Sequence, residues 1–129
     1  MAASGRRYEG FVPGRHLIDA YGGGGFRFAD MSHKGSLLFL PSGVKAWAVV
    51  DRQPWAGEMF ADVFAEHGEI ELLLIGTGID IRPLPEALRW RFRELRIAIE
   101  PMATAPAART YNILVQEGRK VAAALIAVD

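Results

Sequence analysis

The sequence predicts a layered α/β domain on a mixed central sheet, its N-terminal half strands and a hairpin, its second half alternating helices and strands. Three observations predict it. Before Pro54 the chain is a series of short strand-like runs separated by glycine and proline. After Pro54 apolar residues recur at helical spacing, and these stretches alternate with continuous apolar runs. Such runs, "IELLLIG" and "VAAALIAV", suit strands covered on both faces, and alternation with helices makes that part of the sheet mostly parallel.

Each element has its own signal. "HLIDAY", "FRFAD", "GSLLFL" and "VKAWAVV" read as strands, and the tight Pro41-Ser42-Gly43 connection makes a hairpin of the last two. In "PWAGEMFADVFAEHG", Trp55, Met59 and Val63, with Ala56 and Phe60, predict a helix over 55–66 that stops at Gly68. A strand follows over 72–75. Leu84, Leu88, Phe92 and Leu95 share one stripe of a helix over 84–96, with Pro85 near its start. "IAIEPM" gives a strand near 97–100. Thr104 reads as the N-cap of a helix over 105–117, with Pro106 in the first turn and Gly118 at the far end. A buried strand over 121–127 closes the series.

Composition narrows the function classes. Half of the 129 residues are hydrophobic, and 15 Lys and Arg balance 15 Asp and Glu, as in a folded globular domain. Without a basic excess to neutralise phosphates, a nucleic-acid partner is not expected. The absence of cysteine excludes disulfides, thiol catalysis and cysteine-ligated metal. "MAASGRRYEG" has two arginines but no apolar stretch behind them, so no secretory signal is expected. "GSLLFLPSGVKAWAVV" is broken by Pro41, Ser42 and Lys45, so membrane insertion is not expected either. The expectation is a cytoplasmic protein with a flexible N-terminal arm, residues 1–11, and one domain, residues 12–129.

"LLLIGTG", the later pair of prolines, the strand ending in Met102-Ala103-Thr104, and "AARTYNIL…EGRKVAAAL" together resemble the Mth938-like family, as do "GGGGFRF" and "GSLLFLPSGV…W". The match runs from about Val12 to the end. The family includes small bacterial and archaeal proteins of unassigned biochemistry and a mitochondrial assembly factor for respiratory complex I. The resemblance implies a three-layer fold whose mixed sheet has its last strand antiparallel to the others. In one respect this chain departs from the pattern: many relatives carry cysteine just before the arginine, where this chain has Ala108. A thiol reaction is therefore not the shared function.

Two loops invite a site. "GGGG", Gly22–Gly25, leads into a strand rather than a helix, so it lacks the helix N-terminus of a phosphate loop and reads as an inter-strand turn. Gly76, Thr77 and Gly78 follow an apolar strand, and Thr104 follows another. If the strands are parallel neighbours, these residues meet at the carboxyl edge, where α/β sheets gather ligands, and Arg109 could reach the rim. A small anion is the ligand this edge suggests; ordinary turning and capping is the structural alternative. His16, His33 and His67 lie far apart, so no metal and no cofactor are expected. Thr77, Thr104 and Thr110 have no histidine beside them in the same block, and Asp80 and Glu100 specify no mechanism, so a non-catalytic role is favoured over an enzyme.

The Arg109-Thr110-Tyr111-Asn112 block looks catalytic, but Tyr111 shares the core-facing stripe with Ala107, Leu114 and Val115, its hydroxyl satisfied at the edge, and Asn112 flanks that stripe, placed to tie down a loop. Ile113 falls on the opposite side, covered by another layer or by a partner, and a three-layer fold favours the layer. Trp90 is left outward among Arg89, Arg91 and Arg93, the composition of an interface hot spot. The expected partner is a protein, a second copy included; a local stacking contact with arginine is the alternative.

Overall fold

The computed structural model describes residues 10–129. Its strands are β1 (Phe11–Pro13), β2 (Ala20–Gly22), β3 (Gly25–Phe28), β4 (Met31–Lys34), β5 (Ser36–Phe39), β6 (Gly43–Trp47), β7 (Leu72–Gly76), β8 (Ala98–Met102) and β9 (Val121–Leu125). Its α-helices are α1 (Ala61–Ala65), α2 (Glu86–Glu94) and α3 (Thr104–Gln116). Six strands form the central sheet in the order β1-β6-β5-β9-β7-β8, and β2-β3-β4 form a second, smaller sheet.

Period-two alternation builds three layers from these elements. On one face Leu38, Leu73, Ile75, Ala122, Ala124 and Ile126 pack against Phe60, Val63, Leu88 and Phe92 of the α1–α2 layer. On the other, Leu37, Phe39, Leu74, Ala123 and Leu125 pack against Ala107, Ala108 and Tyr111 of α3 and against Phe26 and Phe28 of the small sheet. Every residue of β9 is buried, which accounts for its uninterrupted apolar sequence.

The resemblance implied a last strand antiparallel to the others, and here the structure differs. β9 runs parallel to its neighbour β7 and antiparallel to its other neighbour, β5. The cause is the connection. α2 and α3 are crossovers that return the chain to the same end of the sheet, so β7, β8 and β9 share one direction, whereas β5 and β6 are a hairpin.

Other differences are local. The helix expected over 55–66 is a 3-10 turn (Gly57–Phe60) followed by the short α1, with another 3-10 turn at His67–Glu69. Gly57 is a poor helix former, and the indole N–H of Trp47 donates to the Met59 carbonyl at 2.7 Å, competing for an acceptor a regular helix would use. α2 and α3 form close to their expected bounds. Thr104, however, is not a capping residue: it lies inside α3, after Ala103, and its hydroxyl bonds elsewhere. Gly118 ends α3 with φ +76°, its N–H bonding to Val115 and that of Arg119 to Leu114, a Schellman motif. "HLIDAY" forms a strand only from Ala20, because Asn112 occupies both backbone groups of Ile18 at 2.8 Å, which is the loop-tying role expected of it. Gly23 and Gly24, both at positive φ, make the tight β2–β3 turn expected of the glycine run. β4 was not anticipated. Its turn from β3 uses Ala29 and Asp30 at positive φ, with no glycine to mark it. The central sheet takes in Phe11, and residues 1–9 of the expected arm lie outside the described residues.

Candidate functional site

β7 and β8 are parallel neighbours, so their carboxyl ends bring Gly76, Thr77 and Gly78 against Thr104. A side chain at Gly76 would have its Cβ 2.9 Å from Thr104 Oγ1, and one at Gly78 would overlap the Asp51 carboxylate. The glycines therefore permit close packing of loop on helix. Thr104 Oγ1 accepts from the Gly78 N–H at 3.0 Å and donates to the Ile126 carbonyl at 2.7 Å, while the Thr104 N–H donates to Gly78 at 2.8 Å. Thr77 Oγ1 donates to the Asp80 carbonyl at 2.6 Å and accepts from the Arg82 N–H at 3.0 Å, and its own N–H donates to Met102. Thr77 and Thr104 are fully buried. Ser36, nearby on β5, donates to Val49 and accepts from Ala127. The edge forms as a site would, but the Thr77, Gly78 and Thr104 N–H groups and both threonine hydroxyls are engaged within the protein.

Arg109 does not join that loop in a hydrogen bond. Its guanidinium donates to the Tyr21 hydroxyl on β2 at 2.8 Å, beside a hollow lined by Ile18, Ala108 and Asn112. Tyr111 is a core residue as expected, packed at 5.3 Å on Phe39. Its hydroxyl faces Arg15, which is its polar neighbour at the edge of the core, without a hydrogen bond of ideal geometry. Burial raises its pKa above the ordinary 10.0, against the opposing charge of Arg15. Burial likewise lowers the pKa of His33 below 6.5, partly offset by its contact with the Ser36 carbonyl.

Leu84, Leu88 and Phe92 turn inward, and Trp90 is left 53% exposed with the Arg93 guanidinium 4.7 Å above its ring. Arg89 lies on the Arg93 side, whereas Arg91 lies on the other flank of α2, over Phe64. Ile113 is 56% exposed: no other layer covers it, contrary to expectation, because α3 is the outer layer on its face. Val50, Ile79 and Ile81 are also exposed, on two loops joined by Arg52 and Asp80 at 3.4 Å. The sequence carried a sign of that patch in the isoleucines of "GTGIDIRP", set in an otherwise polar loop. Among the described residues no group of three or more His, Asp or Glu could hold a metal ion, and no helix is long and apolar enough to cross a membrane.

Residues 18–126 match the family described as protein of unknown function (DUF498/DUF598). The chain belongs to that family. An uncharacterized protein of Rhodobacter capsulatus is 44% identical over 93% of this chain and 90% of its own length. NADH dehydrogenase (ubiquinone) 1 alpha subcomplex assembly factor 3 of Mus musculus is 33% identical over 84% of this chain, which spans only 59% of the mouse protein. Among solved structures, a Bartonella henselae protein described as an outer membrane protein superposes with TM-score 0.86 at 50% identity, covering 91% of this chain and 98% of that one. A Bordetella pertussis protein described as a Mth938-like domain superposes with TM-score 0.76 at 26% identity, covering 87% and 85%. The fold is therefore Mth938-like, as the sequence motifs implied.

Proposed function

We propose that this DUF498/DUF598 protein is a non-catalytic binding protein that works as an assembly factor does, by covering a surface of another protein. The observation that carries this reading is Trp90, exposed on a helix whose other large apolar residues all turn inward. A rigid aromatic ring held in place by a stacked guanidinium is the side chain best suited to anchor an interface at small entropic cost. The assembly-factor name of the mouse relative supports the reading at a distance, for the part of that protein which this chain spans. The buried threonines support it too, since their hydroxyls are engaged and leave no nucleophile beside a base.

Trp90→Ala tests it. Removing an anchor from an interface core costs about 2 kcal/mol or more of binding, whereas an exposed substitution shifts stability by about 0.5 kcal/mol or less. The expected result is an unchanged unfolding midpoint with reduced capture of a stoichiometric partner, or dissociation of a homodimer. Unchanged capture and unchanged self-association would remove the reading.

A further inference from the structure

The strip between α2 and the outer edge of β8 carries positive charge that makes no ion pair among the described residues. Arg89 and Arg93, one helical turn apart, and Arg96 just past the helix line a groove of about 370 Å³ with Ile97, Ala98 and Ile99. Among the described residues none of these three arginines pairs with a carboxylate, whereas Arg91 on the opposite flank faces Glu94 at 3.9 Å. Glu100 does not answer them. Ile97 and Ile99 pack on the α2 side of the sheet, so the alternation of β8 turns Glu100 to the α3 side with Met102. Arg93 and Arg96 suit the carboxyl end of a helix dipole, but Arg89 sits mid-helix, one turn from a like charge, which disfavours the helix. Arg93 is offset by its stack on Trp90, but among the described residues Arg89 and Arg96 have no carboxylate partner, and like charges gathered on one strip point to an acidic partner.

The backbone of β8 adds a second feature. The Ala98 N–H donates to Glu71 and the Met102 carbonyl accepts from Thr77, so even positions of β8 face β7. Ile99 and Pro101 therefore face outward at the sheet's edge, and proline has no N–H to offer. One residue, Ile99, presents both a free donor and a free acceptor in the groove the arginines line.

We propose that this groove takes an acidic, extended peptide segment of a partner protein, its carboxylates on Arg89, Arg93 and Arg96 and its backbone paired at Ile99. The proposal rests on the partner-binding function and supplies the partner's chemistry. Pro101 limits the pairing to a short stretch, so charge and not a long strand ladder selects the segment. A nucleic acid fits less well: formal net charge is zero, and no aromatic ring lines the groove for a base to stack on.

The probe is a fluorescein-labelled decapeptide alternating glutamate and valine, titrated by anisotropy against the full chain. Saturable binding is expected, weakened about tenfold in the Arg89→Ala/Arg96→Ala double variant and largely retained in Arg89→Lys/Arg96→Lys. The amide resonance of Ile99 should shift on titration. Equal binding by the alanine variant, an unmoved Ile99 amide, or tighter binding of a uridine oligonucleotide or phosphatidylserine vesicles would each overturn the proposal. So would a dimer of the chain that the alanine variant dissociates, since a second copy would then be the occupant. Capture that depends on Trp90 but survives loss of the groove arginines would remove this groove and leave the partner-binding function standing.

Discussion

Thr104 connects three segments through one hydroxyl: the loop after β7, its own helix and the end of β9. Thr104→Val keeps the shape but leaves the Gly78 N–H and the Ile126 carbonyl without their partner. Each buried group so orphaned costs about 1–3 kcal/mol, so the unfolding midpoint should fall by several degrees in a thermal melt. A midpoint within a degree of the parent would mean that water replaces the hydroxyl. The same bonding predicts that phosphate or sulfate produces no thermal shift through the Gly76–Gly78 edge. A shift that Arg109→Ala abolishes would reinstate an anion site there.

His33 gives a residue-scale prediction with a sign. Its folded-state pKa lies below the ordinary 6.5, so the unfolded chain takes up the proton first as pH falls. The histidine's contribution is fully present above about pH 6.5 and is lost as pH drops through the lower folded value. Chemical denaturation from pH 7.5 to 5 should show the parent losing more stability than His33→Gln. Parallel curves would show that the ring is charged as readily in the folded protein as outside it.

Among the elements, α2 offers the sharpest contrast. Phe92, fully buried among Phe60 and Phe64, should cost about 3–5 kcal/mol when cut to alanine. Trp90, two positions away, should cost little in the same denaturation assay. A similar loss at both would mean that the Arg93–Trp90 stack is itself structural. This contrast was legible in the sequence because the stripe Leu84-Leu88-Phe92-Leu95 fixes the helix's orientation from spacing alone. The short helix after Trp55 was less legible. Its spacing is helical, but a distant indole, Trp47, takes one of its carbonyls, and no local pattern announces that. β4 was missed for a similar reason, since a turn built on Ala29 and Asp30 in left-handed conformations lacks the usual glycine. Of the candidate site, the meeting of Gly76–Gly78 with Thr104 followed from strand order. That both threonine hydroxyls are engaged did not, because Ile126 reaches Thr104 only through tertiary packing, while the Asp80 carbonyl closes a local turn on Thr77 that its side chain does not announce.

At the scale of the whole molecule, β9 sits between a strand it opposes and a strand it parallels, joining the hairpin half of the sheet to the crossover half. That position has a consequence for synthesis. The segment at the centre of the sheet is the last of the described strands to leave the ribosome. Until it emerges, β5 and β7 each present an open edge, and Leu38 and Ile75, which flank Ala124, have no neighbour between them. A nascent chain stalled with Val121–Leu125 still in the exit tunnel should be cut readily by protease and should associate with hydrophobic-binding chaperones. Release should close the sheet in one step, seen as abrupt resistance to the same protease. Resistance before β9 emerges would mean that the two halves hold together without the strand that joins them.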